Sequence, residues 1–177
     1  MNGDIVLVNR APVLTLWAAV VAERMGYDRQ SALSLGKALA GLCAQSKGRS
    51  IGLYKPAERA EGMPPKKAKR GEEFWVALLG RSVPAKMTDE GVRAVVEDRP
   101  IAAEAVERYL EEKFGPALPS VERTMKALAS SFKPAELAAV AFSLYERFRP
   151  NIPAGVRGWG AKGELELKRI ETLKSSR

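Results

Sequence analysis

The chain contains no histidine and only one cysteine among its 177 residues. The absence of histidine excludes Ser–His and Cys–His nucleophile pairs, histidine-containing zinc sites and imidazole proton shuttles. With Cys43 alone, the chain can form neither an intrachain disulfide nor a cysteine-rich metal cage. We expect Cys43 to be a small buried apolar residue, and a reducing compartment is compatible with it. The sequence therefore predicts no metal and no cofactor.

Paired catalytic carboxylates and long apolar runs are also missing. The four aspartates are scattered, and the pairs Glu104/Glu107 and Glu111/Glu112 fall on one surface of a predicted helix, which is typical of a solvated face. We therefore expect a protein that is not an enzyme. The apolar stretch 11–22 is shorter than the roughly 20 residues that span a bilayer, and Asp4 weakens its similarity to a signal peptide. These features predict a cytoplasmic protein without a membrane partner.

Positive charge is abundant, and it is concentrated in two blocks. Residues 47–70 carry eight Lys/Arg against two acids, and residues 147–177 carry eight against three, whereas 94–146 carry six against nine. Clustered cations of this kind displace counterions from a polyanion. The net charge of +8 therefore favours an anionic partner, with nucleic acid first and acidic proteins next.

Hydrophobic periodicity predicts a mainly α fold, a compact multi-helix globule. Apolar stripes over 12–26 indicate a central first helix, and Asp28 is placed as the N-cap of a second helix that ends near Ser46. The short connection makes these two helices an αα-hairpin. Gly36, Ala40 and Gly41 carry little side chain, so we expect another element to approach the second helix closely.

The remaining elements are a small β-hairpin and four helices. The apolar run 74–79, either a strand or a helical turn, and the alternating segment 87–96 favour the hairpin. Helices are predicted over 102–114, from an N-cap at Ser120 to 132, over 134–148 and over 164–173. Trp17 and Trp75 lie in apolar runs, so we expect both in the core. We divide the chain into an N-terminal helical hairpin (1–50), a basic Pro/Gly-rich loop (51–73) and a helical part (74–177) that packs with 1–50 as a single domain.

The first candidate site is the basic loop. Its segment 64–70, PPKKAKR, places four cations in five positions, and they can follow a phosphate backbone without matching a groove. The alternative is a solvated loop whose charges keep the protein in solution. The cations that we assign to nucleic-acid binding in this block are Arg49, Lys55, Lys66, Lys67, Lys69 and Arg70.

The second candidate site is a glycine-rich turn at 156–162, VRGWGAK. The letters of 158–163 fit G-x-G-x-x-G, but a proline-containing loop precedes them where a dinucleotide-binding loop requires a strand. The segment resembles the hairpin of helix-hairpin-helix DNA-binding motifs. The resemblance implies that Gly158 and Gly160 let the backbone approach a phosphate and that Lys162 contacts it, with Arg157 beside them. The alternative is a structural glycine turn in which Trp159 packs in the core.

Two functions remain open at this point. One is a non-enzymatic nucleic-acid-binding protein, with DNA favoured and with contacts mostly to the phosphate backbone. The other is a protein-interaction module that binds an acidic partner or associates with itself, with no nucleic acid. Major-groove readout would need a helix with a dense basic face, and the sequence offers none, so general binding is favoured over sequence-specific binding.

Overall fold

The computed structural model describes residues 5–46, 73–151 and 162–174. In chain order, the elements of these ranges are β1 (Ile5–Asn9), α1 (Arg10–Arg24), α2 (Arg29–Ser46), β2 (Glu73–Leu78), β3 (Arg81–Thr88), β4 (Gly91–Val96), β5 (Arg99–Pro100), α3 (Ala103–Phe114), α4 (Leu118–Ser130), α5 (Pro134–Phe148), β6 (Lys162–Glu166) and α6 (Leu167–Glu171). A short 3-10 helix, Gly115–Ala117, joins α3 to α4.

The fold is mixed α/β, so the prediction of a mainly α globule was wrong. Strands β2, β3, β4 and β5 form an antiparallel meander in chain order, and β1 pairs with β6 in a separate two-stranded sheet. The β-hairpin expected from 74–79 and 87–96 was wrong in its pairing: these segments correspond mainly to β2 and β4, and the unpredicted strand β3 lies between them and pairs with both. The strand β2 itself was indicated correctly, because buried and exposed residues alternate along it, as a half-buried strand requires.

The N-terminal αα-hairpin was predicted correctly, and it supplies the centre of the core. Residues 12–22 of α1 are buried on all sides. Trp17 is fully buried, and its indole Nε1 donates a hydrogen bond to the carbonyl oxygen of Ala141 in α5, 2.9 Å away. Gly36 of α2 lies directly against α1, because a Cβ atom built there would be 2.6 Å from the carbonyl oxygen of Thr15.

Helices α3, α4 and α5 confirm the three helices predicted from the periodicity of the second half. One boundary, the start of α4, was predicted wrongly. Pro134 begins α5, as predicted, where its missing N–H is not needed. Helix α4 begins at Leu118, with Pro119 in its first turn, so Ser120 lies inside the helix and is not its N-cap. The apolar faces of all three helices contribute buried residues to one continuous core.

The predicted helix over 164–173 was wrong for its first three residues. They belong to β6, where Gly163 and Leu165 are buried and Lys162 and Glu164 are exposed. That period of two is the pattern of a strand. Glycine is needed at 163 because a Cβ atom there would collide with the backbone of Asn151, which exchanges two 3.1 Å backbone hydrogen bonds with Glu164. The helix α6 is limited to Leu167–Glu171.

Trp75 lies on the surface, so its predicted place in the core was also wrong. On β2, Phe74 and Val76 point to the core, and the alternation of the strand turns Trp75 outward, where it is 55% exposed. Cys43 is half-buried and packs against the core. Within the described residues, no helix is long and apolar enough to cross a membrane.

Candidate nucleic-acid interface

Most of the residues assigned to nucleic-acid binding lie outside the described residues, and their role stays a prediction. They are Arg49, Lys55, Lys66, Lys67, Lys69, Arg70, Arg157, Gly158 and Gly160. Lys162 is described: it is exposed at the start of β6 and is the register partner of Asn9 in β1. The resemblance to a helix-hairpin-helix turn likewise stays a prediction, and the segment that follows the turn begins with strand β6.

The elements that lead into both basic blocks meet at one end of the molecule. Arg10, the first residue of α1, donates a hydrogen bond from Nε to the carbonyl oxygen of Pro150, 2.9 Å away, just after α5 ends. Tyr145 of α5 donates its hydroxyl to the carbonyl oxygen of Arg10 at 3.5 Å. Lys162 is next to them, because its register partner Asn9 precedes Arg10. The start of α1, the end of α5 and the start of β6 are therefore neighbours.

The cations at this end lie close enough to affect one another. Burial lowers the pKa of Arg10, and the positive charge of Arg149 lowers it further. Burial also raises the pKa of Tyr145 to about 12, although the charges of Arg149 and Arg10 oppose the rise. The charges of Arg10 and Arg149 thus act on each other and on Tyr145, which makes this end of the molecule locally positive.

The end of α2, from which the first basic block continues, reaches the same place. Cys43 of α2 lies within electrostatic reach of Tyr145 and hydrogen-bonds Arg81 of β3. Burial raises the pKa of the Cys43 thiol, and the positive charge of Arg81 opposes this rise. We refer to Arg10, Arg81, Arg149 and Lys162 together as the basic end.

An ion-pair network occupies the opposite end of the α1–α2 hairpin. Arg29 of α2 lies 2.5 Å from a carboxylate oxygen of Glu122 and 3.3 Å from one of Glu107. Lys126 contacts Glu122 at 3.2 Å and Glu23 at 3.7 Å. The network ties α1, α2, α3 and α4 together. Glu107 keeps an exposed side chain on the helix surface, as predicted, and is also an ion-pair partner of Arg29.

This network changes the acidity of its members. Burial alone would raise the pKa of Glu122, but the hydrogen bonds and charges of Arg29 and Lys126 outweigh it, so the pKa lies below its ordinary value. Burial alone would likewise lower the pKa of Arg29, but its bonds to Glu122 and Glu107 raise it. Glu107 and Glu122, two of the nine carboxylates in 94–146, are therefore already paired within the molecule.

The two ends of the hairpin are electrostatically separate. The 15 residues of α1 span about 22 Å, so the basic end lies nearly three Debye lengths of about 8 Å from the ion-pair network at physiological salt. Sequence reasoning missed Arg10 and Arg81 because each is isolated in the chain and joins the others only through the tertiary fold. Within residues 5–46, 73–151 and 162–174, no group of three or more acidic, cysteine or histidine side chains could hold a metal ion.

Comparison with known proteins gives no relative from which a function could be transferred: no family model, no curated protein and no solved structure matches the chain.

Proposed function

We propose that this chain is a non-enzymatic, cytoplasmic nucleic-acid-binding protein that contacts mainly the phosphate backbone of DNA. The observation that carries the proposal is the placement of charge. The described residues carry 19 Lys/Arg against 17 Asp/Glu, a net +2 of the total +8, so most of the excess positive charge belongs to residues outside the described ranges. A nearly neutral body that carries concentrated cations suits phosphate contacts of low sequence specificity.

The basic end supports this proposal because it brings cations of the body next to both basic blocks. The first block continues from α2, whose Cys43 contacts Arg81, and the second surrounds Lys162, next to Arg10 and Arg149. In this proposal Lys66, Lys67, Lys69 and Arg70 follow one stretch of phosphates, and the basic end contacts an adjacent stretch. The described helices offer no dense basic face, which favours backbone contacts over base readout.

The test is binding of the full chain to a labelled mixed-sequence DNA duplex and an RNA hairpin across a salt series. The variant K66A/K67A/K69A/R70A should bind DNA more weakly, and its salt slope should fall by up to about 3.6, because each phosphate contact contributes about 0.9. The matched control, R108A/K113A/R123A/K133A, removes the same charge from α3, α4 and the residue before α5, and should keep most of the slope. If both variants lose the same DNA affinity and salt slope, the effect depends on net charge alone and not on the basic loop.

A second variant tests the other site. Lys162 is exposed, so Lys162→Glu should fold normally and should weaken DNA binding by reversing a charge at the basic end. Unchanged DNA affinity would remove the glycine-rich turn from the interface. Tighter binding to the hairpin than to the duplex would assign RNA as the ligand in place of DNA.

The alternative function is a protein-interaction module. Glu107 and Glu122 of the acidic stretch 94–146 already pair with Arg29, so these two carboxylates are less available for self-association with the basic blocks. If the chain binds neither nucleic acid at low salt and instead forms a salt-insensitive 1:1 complex with a protein, the alternative function is correct.

A further inference from the structure

The outward face of the four-stranded sheet contains a groove that the nucleic-acid proposal does not use. Its volume is about 480 Å³, within the range of peptide and ligand sites. The lining residues come from β2, β3 and β4 and the turn after β4: Glu73, Phe74, Trp75, Pro84, Ala85, Val95, Glu97 and Asp98. The described residues that line it therefore combine an apolar floor with three carboxylates and include no cation.

The floor of the groove is an apolar row that crosses the strands. Trp75 of β2 is the register partner of Pro84 in β3. Because Ala85 pairs with Ala94, the next residue of β4, Val95, lies opposite Pro84. Val95 pairs in turn with Pro100 of β5. At about 4.8 Å per strand, the row from Trp75 to Val95 is about 10 Å long, the length of three extended residues.

Carboxylates lie at two opposite corners of this row. Glu73 lies two residues before Trp75 on β2, and Glu97 lies two residues after Val95, followed by Asp98. None of the three forms an ion pair with another described residue. A cation entering the groove would meet the partly exposed indole of Trp75 and carboxylates that no described cation pairs with, a combination that favours lysine and arginine side chains.

The turn that presents two of these carboxylates adopts a conformation that its residues disfavour. Glu97 and Asp98 have φ angles of 52° and 67°, the left-handed pair of a two-residue type I′ turn. Asn-Gly is the preferred sequence for this turn, and glutamate rarely adopts positive φ. The chain thus places two carboxylates beside the groove at positions where stability alone would favour other residues.

We infer that this groove binds an extended basic segment of a partner protein, with a Lys or Arg side chain beside Trp75 and further cations at Glu73 and at the Glu97–Asp98 turn. The inference is independent of DNA binding, because it uses the opposite charge and residues that the DNA-binding proposal does not use. Charge complementarity and the exposed indole together favour this occupant over an apolar or an acidic one.

The test is titration of the full chain with a fluorescein-labelled basic peptide, PPKKAKR, at low salt, with PPEEAEE as the control peptide. The wild type should bind the basic peptide saturably and should not bind the acidic one. Glu97→Asn/Asp98→Gly should weaken binding roughly tenfold, since it removes two exposed charge partners. Because this pair suits a type I′ turn, the variant should also melt at a higher temperature, so its loss of binding cannot come from unfolding.

Two further variants complete the test. Trp75→Ala removes the indole from an exposed position and should weaken peptide binding roughly fivefold. Glu111→Gln/Glu112→Gln removes two exposed charges from α3 and should leave peptide affinity unchanged. Equal weakening by Glu97→Asn/Asp98→Gly and by this control would overturn the site. DNA binding should survive all three variants, so failure here and failure of the proposed function are distinguishable.

The partner's identity as a separate protein is tested by two controls. Arg70 precedes Glu73 by only three residues, so the titration is repeated on K66A/K67A/K69A/R70A. Peptide binding confined to that variant would overturn the partner as occupant and assign the groove to the chain's own cations. Sedimentation of the wild type should show a monomer. A dimer that Glu97→Asn/Asp98→Gly dissociates, without any peptide binding, would overturn the partner in favour of a second copy.

Discussion

Replacing Gly36 by alanine tests the closest helix–helix contact of the core. A Cβ atom at this position would lie 2.6 Å from the carbonyl oxygen of Thr15, 3.0 Å from the backbone nitrogen of Ala19 and 3.3 Å from the Ala19 Cβ. The first two are backbone atoms in the middle of α1, so no side-chain rotation can make room. Helices α1 and α2 would have to separate by several tenths of an ångström.

Two opposing effects set the magnitude. Alanine is favoured over glycine inside a helix by about 1 kcal/mol, whereas overpacking a well-packed core costs up to about 3 kcal/mol. We therefore expect Gly36→Ala to lower the free energy of unfolding by ~2 kcal/mol. For a chain of this size, that loss corresponds to a decrease in Tm of about 4–8 °C.

Gly41, in the same helix, is the matched control. An added Cβ there meets nothing within 4 Å, so Gly41→Ala should show the propensity gain alone and raise stability by about 0.5–1 kcal/mol. Urea denaturation followed by circular dichroism at 222 nm measures both variants. If Gly36→Ala stabilises the protein as much as Gly41→Ala does, the close contact between α1 and α2 is refuted.

Three further predictions concern the core, the ion-pair network and the second sheet. Trp17→Phe should lower the unfolding free energy by about 1–2 kcal/mol, because it removes the 2.9 Å hydrogen bond to Ala141, and unchanged denaturant stability would contradict that bond. Glu122 has a lowered pKa, so its contribution should be fully present above pH 4.5 and be lost as the pH falls through the folded value. Melting temperatures between pH 3 and 8 should therefore decrease at the acidic end, and Glu122→Gln should flatten that decrease. Leu165→Ala should cost about 2–5 kcal/mol because this side chain is fully buried, and a thermal shift near zero would be inconsistent with β6 in the core.

The helices were predictable because their apolar residues recur with a period of 3.6, and this repeat survives burial on several sides, as in α1. The strand β6 could not be predicted, because the spacing of Leu165, Ile170 and Leu173 also suits one face of a helix. Only the tertiary fold distinguishes the two, by placing Gly163 against Asn151 and Leu165 in the core.

The candidate sites also differ in whether the sequence alone could identify them. The cation clusters are contiguous in the chain, so composition alone finds them, whereas the basic end depends on contacts such as that between Arg10 and Pro150, 140 positions apart. Trp75 was misplaced because an apolar run hides its strand period: its neighbours point inward and the indole points outward. Consequently, no sequence signal identified the groove.

The pairing of β1 with β6 has a consequence for synthesis in the cell. Val8 and Gly163 are register partners separated by 155 positions, so β1 has no partner strand until nearly all of this sequence has been translated. At 5–20 residues per second, β1 would wait about 8–30 s as an unpaired strand. Pairing over so long a separation also slows folding. Nascent chains should thus depend on chaperones that shield the first strand, and ribosome-bound intermediates should become protease-resistant only after β6 has emerged.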